Sequence, residues 1–464
     1  MTLQKLLAFT IVGTLAAAGC APVGPNYARP TVQPPDAHRG ASEGSPDLAT
    51  SLAEQHWTAV FTDDVLQRLI RTALEQNFDV RIAASRILQA QAQYGLARAD
   101  RYPTVQAQGS AQIQHGTVIS NESLPTVGLV QLGASAAWEL DFWGKYRRAT
   151  EAARADILAS EWGRRAVVSS LVSNVATTYF DLRAFDSELD IAQRTLASRE
   201  ESLRLTEVRE RGGDTSLVDV RQAEQLVIAA RGQIIDLQRR SEQQENALQT
   251  LLGANPGPIA RGKALVDQPH APDVPPGLPS ALIDRRPDIR EAEQFLVAAN
   301  AEIGIAKAAY FPNITLTGSG GVASTALTSL FSAGTWSLAA GAVQPIFNAG
   351  RTRSRVELAT ARRQEVELQY LQTVQQAFRE VADALIGYRR FRELRQTQET
   401  LVVAAQDARR LADLRYQGGA TSYLEVLDSD SRLFSAQIAL VQAQLDELAA
   451  FVEIYRALGG GWES

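Results

Sequence analysis

The chain has 464 residues, of which 45% are apolar and 21% charged, and it carries a net charge of −6 with no basic block. Such a composition belongs to a folded protein, not a disordered one, and leaves no electrostatic footprint for nucleic acid. One cysteine (Cys20), one methionine (Met1) and four scattered histidines exclude a disulfide framework and a cysteine metal cluster within the chain.

In chain order, Lys5 precedes an apolar run from Leu6 to Ala18 that closes on Gly19 and Cys20. This pattern reads as a secretory signal over residues 1–19. It is shorter than the roughly 20 residues a spanning helix needs. Ala17-Ala18-Gly19-Cys20 resembles a bacterial lipobox with Ala17 in the usual leucine position, which would make Cys20 an acylated first residue anchored in lipid. Ala21 follows in place of an inner-membrane retention aspartate, and by resemblance to bacterial lipoproteins this favours the outer membrane. Residues 20–62 read as a lipid-anchored tether, rich in Pro, Gly, Ser and Asp up to Leu52.

From Asp63 to Tyr102 the pattern is helical, with Leu66, Leu69, Ile70 and Ala73 on one face, continued by Ile82, Leu88 and Leu96. A single rod of about 60 Å is expected there. Pro103 stops it, and the period becomes two. Val105, Ala107, Gly109, Ala111 and Ile113 alternate with Thr104, Gln106, Gln108, Ser110 and Gln112. A second such run follows, so strands are expected over about 104–114 and 128–142. Small apolar residues on one face and Gln, Ser and Thr on the other resemble transmembrane barrel strands, with Trp138, Phe142 and Trp143 as an interfacial girdle. Long helical pattern then runs to Arg211.

Arg209–Gln222 reads Arg-Glu-Arg-Gly-Gly-Asp-Thr-Ser-Leu-Val-Asp-Val-Arg-Gln, and Arg415–Asp428 nearly repeats it as Arg-Tyr-Gln-Gly-Gly-Ala-Thr-Ser-Tyr-Leu-Glu-Val-Leu-Asp. Paired glycines (Gly212-Gly213, Gly418-Gly419) followed by Thr215-Ser216 and Thr421-Ser422 are a helix stop and a helix start back to back. Each is the expected tip of a helical hairpin, at 211–216 and 417–422. The duplication reaches upstream, where Asn77–Pro103 aligns with Arg286–Pro312. The expected organisation is therefore a first repeat at 63–253, a Pro/Gly linker at 254–280, a second repeat at 281–460 and a tail at 461–464. The second repeat carries strands at about 313–323 and 335–346. Its return helix places Leu427, Ser431, Phe434, Ile438, Val441, Leu445, Leu448, Val452 and Tyr455 in alternating steps of four and three, the seam of a coiled coil. Gly318-Ser319-Gly320-Gly321 lies inside a strand pattern and lacks the spacing of a phosphate loop.

Four strands cannot close a barrel, and lipid tolerates no open sheet edge, so either the strands are not membrane strands or several chains share one barrel. Several motifs now carry a resemblance. Val23-Gly24-Pro25-Asn26-Tyr27-Ala28-Arg29-Pro30, Leu282-Ile283-Asp284-Arg285-Arg286-Pro287-Asp288, the two Gly-Gly-x-Thr-Ser tips and the closing Arg456-Ala457-Leu458-Gly459-Gly460-Gly461-Trp462 are similar to the outer-membrane efflux protein (TolC-like) family, in its NodT-type lipoprotein branch.

The resemblance implies a mainly α protein with a transmembrane β-barrel, a homotrimer sharing twelve strands above a periplasmic barrel of coiled-coil helices. It implies the passive exit channel of a tripartite efflux pump for small molecules, with a periplasmic adaptor and an inner-membrane resistance-nodulation-division transporter as partners. It implies no cofactor, and no nucleophile–base or metal set in the sequence points to an enzyme. Tyr416 falls on the family's gate tyrosine, Asp428 on its gate aspartate and Leu424 on a constricting leucine; their first-half counterparts for the tyrosine and aspartate are Glu210 and Gln222. Where the family often has an arginine three residues after the gate aspartate, this chain has Ser431, between Asp430 and Arg432. The tips, Gly212, Gly213, Thr215 and Ser216 with Gly418, Gly419, Thr421 and Ser422, are the expected adaptor-docking sites. The alternatives are a duct for type I protein secretion and, in a different class, a soluble periplasmic coiled-coil scaffold.

Overall fold

The structure, a computed structural model, describes residues 22–40, 51–115, 127–268, 277, 279–325, 327–332 and 334–462. Cys20 and the signal segment lie outside the described residues. The main elements are α1 (Asp64–Gln76), α2 (Phe78–Ala99), β1 (Thr104–Gln114), β2 (Val127–Leu140), α3 (Lys145–Arg211) and α4 (Leu217–Leu251), then α5 (Pro287–Ala308), β3 (Asn313–Ser324), β4 (Gly334–Val343), α6 (Arg351–Gln417) and α7 (Tyr423–Ala457). The duplication holds at the level of element length. Helices α3 and α6 each have 67 residues, α4 and α7 each have 35, and α2 and α5 each have 22. At about 1.5 Å per residue, α3 and α6 are each near 100 Å long.

Two compact units form, and each draws on both sequence halves. One contains the sheet, with residues up to Thr31, Arg86–Glu161 and Glu291–Leu371. Its strands lie in the order β1-β2-β3-β4, all antiparallel. Residues opposite one another in an antiparallel ladder project to the same side. The rung Gln106, Ser135, Ser319, Ser337 is wholly polar, and the next rung, Val105, Ala136, Gly318, Leu338, is apolar. Ala107, Ala134, Gly320 and Trp336 continue the apolar side, as do Trp138, Leu316 and Ala340. The strand hairpins accommodate the length difference between the repeats: 41 residues separate Thr104 from Lys145 and 38 separate Asn313 from Arg351. One girdle residue is reassigned. Trp138 and Phe142 remain partly exposed, but Trp143 stacks on Phe311 at 4.5 Å and donates to the Pro312 carbonyl at 2.8 Å. It is a packing residue of the strand–helix junction.

Residues 22–31 are docked along this unit. Val23 N–H donates to the Trp143 carbonyl, and Arg148 donates to the carbonyls of Val23 and Gly24 and to Asn26. Arg29 binds both oxygens of Glu293 at 2.7 Å, and the Tyr27 hydroxyl donates to the same carboxylate at 3.2 Å.

The other unit holds Val32–Ser85, Trp162–Arg290 and Gln372–Ser464. Here the expected single rod is two helices. The Asn77 side chain accepts from the backbone of Asp79 and Val80, capping α2, and donates to the Leu251 carbonyl at the end of α4. Its repeat counterpart, Arg286, donates to the carbonyl of Ala457, the counterpart of Leu251. The side chains differ, yet the tie from a 22-residue helix to the end of a 35-residue helix is kept. Leu66, Ile70 and Ala73 are buried as expected, but Ile82, Leu88 and Leu96 are 50–66% exposed in the single chain, and Val80 and Ala83 take the buried positions. The α7 stripe is broader than a two-position seam. Val441, Leu448, Val452 and Tyr455 are buried, joined by Tyr423, Val426, Ala443, Phe451 and Ile454, while Leu427, Phe434, Ile438 and Leu445 are half-buried. The reason is that α7 meets α4 and also the turns Leu52–Glu54 and Leu265–Asp267.

Candidate functional site at the helical tips

Both tips close by the same backbone chemistry. After α3, Gly213 takes φ 80°, Asp214 N–H returns to the Arg209 carbonyl and Gly213 N–H to that of Glu210. After α6, Gly419 takes φ 72°, with Ala420 returning to Arg415 and Gly419 to Tyr416. Glycine supplies the left-handed residue that this six-to-one closure requires. The restarts differ. Ser216 and Asp219 form a reciprocal capping box, with Thr215 also on Asp219. Burial pushes the Asp219 carboxyl up, and the hydrogen bonds from Thr215 and Ser216 outweigh it, so it sits below the usual carboxylate range. Ser422 makes no side-chain cap; Thr421 binds Glu425 instead, and Arg415 pairs with Glu425 at 2.7 Å. All eight tip residues are exposed or half-buried.

Just inside the tips, Ala223, Ala412, Tyr416, Tyr423 and Val426 make one buried cluster, backed by Leu203 and Leu427. It joins α3, α4, α6 and α7. Tyr416 is 7% exposed, its ring 5.2 Å from that of Tyr423 and 4.6 Å from the Arg209 guanidinium. Its hydroxyl has no hydrogen-bond partner among the described residues. Leu424 and Asp428 lie elsewhere, on the outer side of α7. Leu424 is 62% exposed, and Asp428 pairs with Arg432 one turn on at 2.8 Å, both side chains open to solvent. Asp428, Ser431 and Arg432 face Ala404, Ala405 and Ala408 across a groove of about 890 Å³ between α7 and α6.

The buried acid of this region is Asp430. It receives Arg199 from α3 at 2.8 Å and Arg409 from α6 at 3.4 Å, and Arg409 also pairs with Asp413. This network was missed in the sequence, although a signal exists. Leu182, Phe185, Leu189, Ala192, Leu196 and Leu203 step by three and four, and Arg199 occupies the one vacant seam position.

The sequence matches the family described as Outer membrane efflux protein over residues 69–254 and 278–460. The chain belongs to that family. It is 36% identical to the cation efflux system protein CusC of Escherichia coli O6:H1 over 99% of both chains. It is 38% identical to the probable efflux pump outer membrane protein TtgC of Pseudomonas putida, over 99% of this chain and 96% of the relative. The solved open state of the Neisseria gonorrhoeae MtrE outer membrane channel superposes with a TM-score of 0.86 at 32% identity, covering 96% of this chain and 99% of that one. The protein is thus an outer-membrane efflux channel of TolC-like fold, from a family of channels and not of enzymes. Among the described residues no helix is long and apolar enough to cross a membrane. The membrane-crossing element is the sheet, whose strands of 10–14 residues match the roughly 9–11 residues that a tilted crossing needs.

Proposed function

We propose that three copies close one twelve-stranded barrel and form the passive exit duct of a tripartite efflux pump, joined to a periplasmic adaptor and an inner-membrane transporter. The observation that carries this reading is the sheet. It has one polar and one apolar side across all four strands, and β1 and β4 have no outer partner among the described residues. An edge left open in lipid would strand backbone groups at several kcal/mol each, so the edges meet those of neighbouring copies. The polar side then lines a water-filled lumen. Acylated Cys20 adds a lipid anchor on the outer membrane, beside a barrel that already spans it.

The duct closes at the tips. A ring of Asp428 carboxylates in a narrow throat repels itself and is held only weakly, so a partner can open it. Arg432 partly compensates each carboxylate, in the role that Ser431 cannot fill. The unpartnered Tyr416 hydroxyl and the exposed Leu424 complete the constriction. Gly212, Gly213, Thr215 and Ser216 with Gly418, Gly419, Thr421 and Ser422 dock the adaptor, and cysteines at Asp214 or Ala420 should trap it. The names of CusC and TtgC support small solutes as cargo. With one methionine, one cysteine and four histidines, the chain cannot build a ladder of soft ligands, so any cation passes by diffusion.

The deciding experiment is planar-bilayer conductance of the purified protein, wild type against Asp428→Ala. A small, mostly closed conductance that becomes larger and steadier in the variant supports duct and gate together. Equal conductances remove Asp428 from the gate, and silence from folded samples of both rejects the duct.

A further inference from the structure

Below the sheet, a cavity of about 610 Å³ lies between α5 and the start of α6. Arg351, Arg355 and Arg362 line it, at spacings of four and seven that hold them on one stripe of the helix. None of the three has an ion-pair partner among the described residues. Their neighbours on the same helix do: Arg353 pairs with Glu357 and Arg363 with Glu367. The one carboxylate lining the cavity is Glu302. The remaining cation there, Lys145, is engaged by Glu139 at 3.0 Å.

That last contact fixes the side on which the cavity opens. Glu139 stands opposite Thr315, on the polar face of the sheet. Asn313, the one strand residue lining the cavity, has the same parity as Thr315, Thr317 and Ser319. No residue of the apolar face reaches it. The three guanidinium groups therefore gather on the side that a closed barrel turns inward, beneath strands whose inward side chains are mostly neutral.

We propose that Arg351, Arg355 and Arg362 form a cationic station in the lumen that takes anionic cargo, small molecules bearing carboxylate, sulfonate or phosphate groups. The proposal rests on the duct reading and names its substrate class. Guanidinium binds such oxyanions through paired N–H donors, and three in one confined cavity raise the local anion concentration. Threefold symmetry would repeat the stripe around the lumen, giving a field opposite in sign to that of Asp428 at the tip.

The test is the chloride-to-potassium permeability ratio of the full-length protein in planar bilayers under a salt gradient. At about 0.1 M salt, where the screening length is roughly 10 Å, the ratio should exceed one, and it should approach one near 1 M. Replacing all three residues, R351Q/R355Q/R362Q, should lower it about fivefold. The charge-conserving R351K/R355K/R362K should keep the wild-type ratio, which separates lost charge from lost folding. In parallel, a trisulfonated pyrene dye should bind the wild type and the lysine variant in detergent, by fluorescence anisotropy, but not the glutamine variant. A wild-type ratio at or below one, or an unchanged ratio in the glutamine variant, overturns the station and leaves the duct standing; the latter result would mean that a neighbouring copy neutralises the arginines. Absence of any conductance from folded wild type overturns the duct itself.

Discussion

Arg199 and Asp430 stand 231 residues apart in sequence and meet at 2.8 Å, with side chains only 8% and 11% exposed. The guanidinium also donates to the Leu226 carbonyl and lies 5.5 Å from the Phe434 ring centroid, so α3, α4 and α7 converge on one charge pair. Any movement of the α6/α7 hairpin away from α3 has to break it. Asp430→Asn should therefore loosen the closed tip and raise the mean conductance. Because it leaves Arg199 and Arg409 buried without their carboxylate, it should also lower stability by about 3–5 kcal/mol. The double change Arg199→Met, Asp430→Leu should recover most of that stability and keep the raised conductance. A double variant that recloses the channel would reduce the pair to a packing element.

Asp63 predicts an acid limb of stability. Burial alone would raise its pKa, but hydrogen bonds from Gln268, the Val65 backbone, Tyr179 and the Leu66 backbone outweigh that and hold it below the usual carboxylate range. A carboxylate depressed in the folded state contributes stability that is fully present above its unfolded value of about 3.9 and is lost as pH falls through the folded value. Asp181 and Glu188, raised by burial, act in the opposite sense, since their cost disappears on protonation. Asp63→Asn should remove about 2–3 kcal/mol near neutral pH, because an amide cannot accept from all five donors, and it should flatten the loss below pH 4. Thermal midpoints by circular dichroism from pH 3 to 7 measure both effects; an acid slope identical to wild type would assign the limb to other groups.

How much was legible follows from where each determinant resides. Local and periodic features showed in the sequence. The paired glycines fixed both tips, Pro103 and the change of period located β1, and the offset between repeats anticipated matched helices. Features held by tertiary contact did not show. Asn77 breaks a helical pattern because it reaches Leu251, 174 residues away, and nothing in its neighbours announces that. Arg199 and Asp430 are ordinary helix residues until α3 and α7 are placed side by side. Leu88 and Leu96 were read as core from spacing alone, but spacing identifies an apolar face without saying which chain covers it. In one chain they are exposed, as residues facing a neighbouring copy would be. The gate assignment of Asp428 came from family resemblance, and its exposure in the single chain supports a surface role over a structural one.

Docking of residues 22–31 predicts a protease-resistant segment behind the lipid anchor. Glu293 holds Arg29 through two hydrogen bonds and Tyr27 through a third, and burial with the Glu293 charge pushes the Tyr27 hydroxyl well above its usual pKa. Closer to Cys20, Gly144 takes φ 78°, and a Cβ there would lie 2.4 Å from that of Pro22. Glu293→Ala should release about 2–3 kcal/mol of local binding and expose the Arg29–Pro30 region, and Gly144→Ala should free the end nearest the anchor. Limited proteolysis read by mass spectrometry, with cleavage sites between residues 22 and 40 appearing only in the variants, tests both. Equal resistance in wild type and variants would mean that other contacts hold the segment.

The open edges of the sheet make the last prediction. Strand β1 carries Gln106 and strand β4 carries Ser337 on the same polar side, at opposite edges of the sheet. Within one chain β2 and β3 intervene, so cysteines at these two positions cannot reach one another at the roughly 5.5–6 Å Cα separation a disulfide needs. Between copies the two edges abut, and stepping one cysteine along β1 through Thr104, Gln106, Gln108 and Ser110 should find one register that oxidises efficiently. Because Cys20 is the chain's one native cysteine, Cys20→Ser leaves a clean background for gel analysis. The expected product is a closed covalent trimer, since each copy offers one β1 and one β4. A ladder extending beyond three copies would show an open assembly, and monomer alone at every register would mean that β1 and β4 face something other than each other.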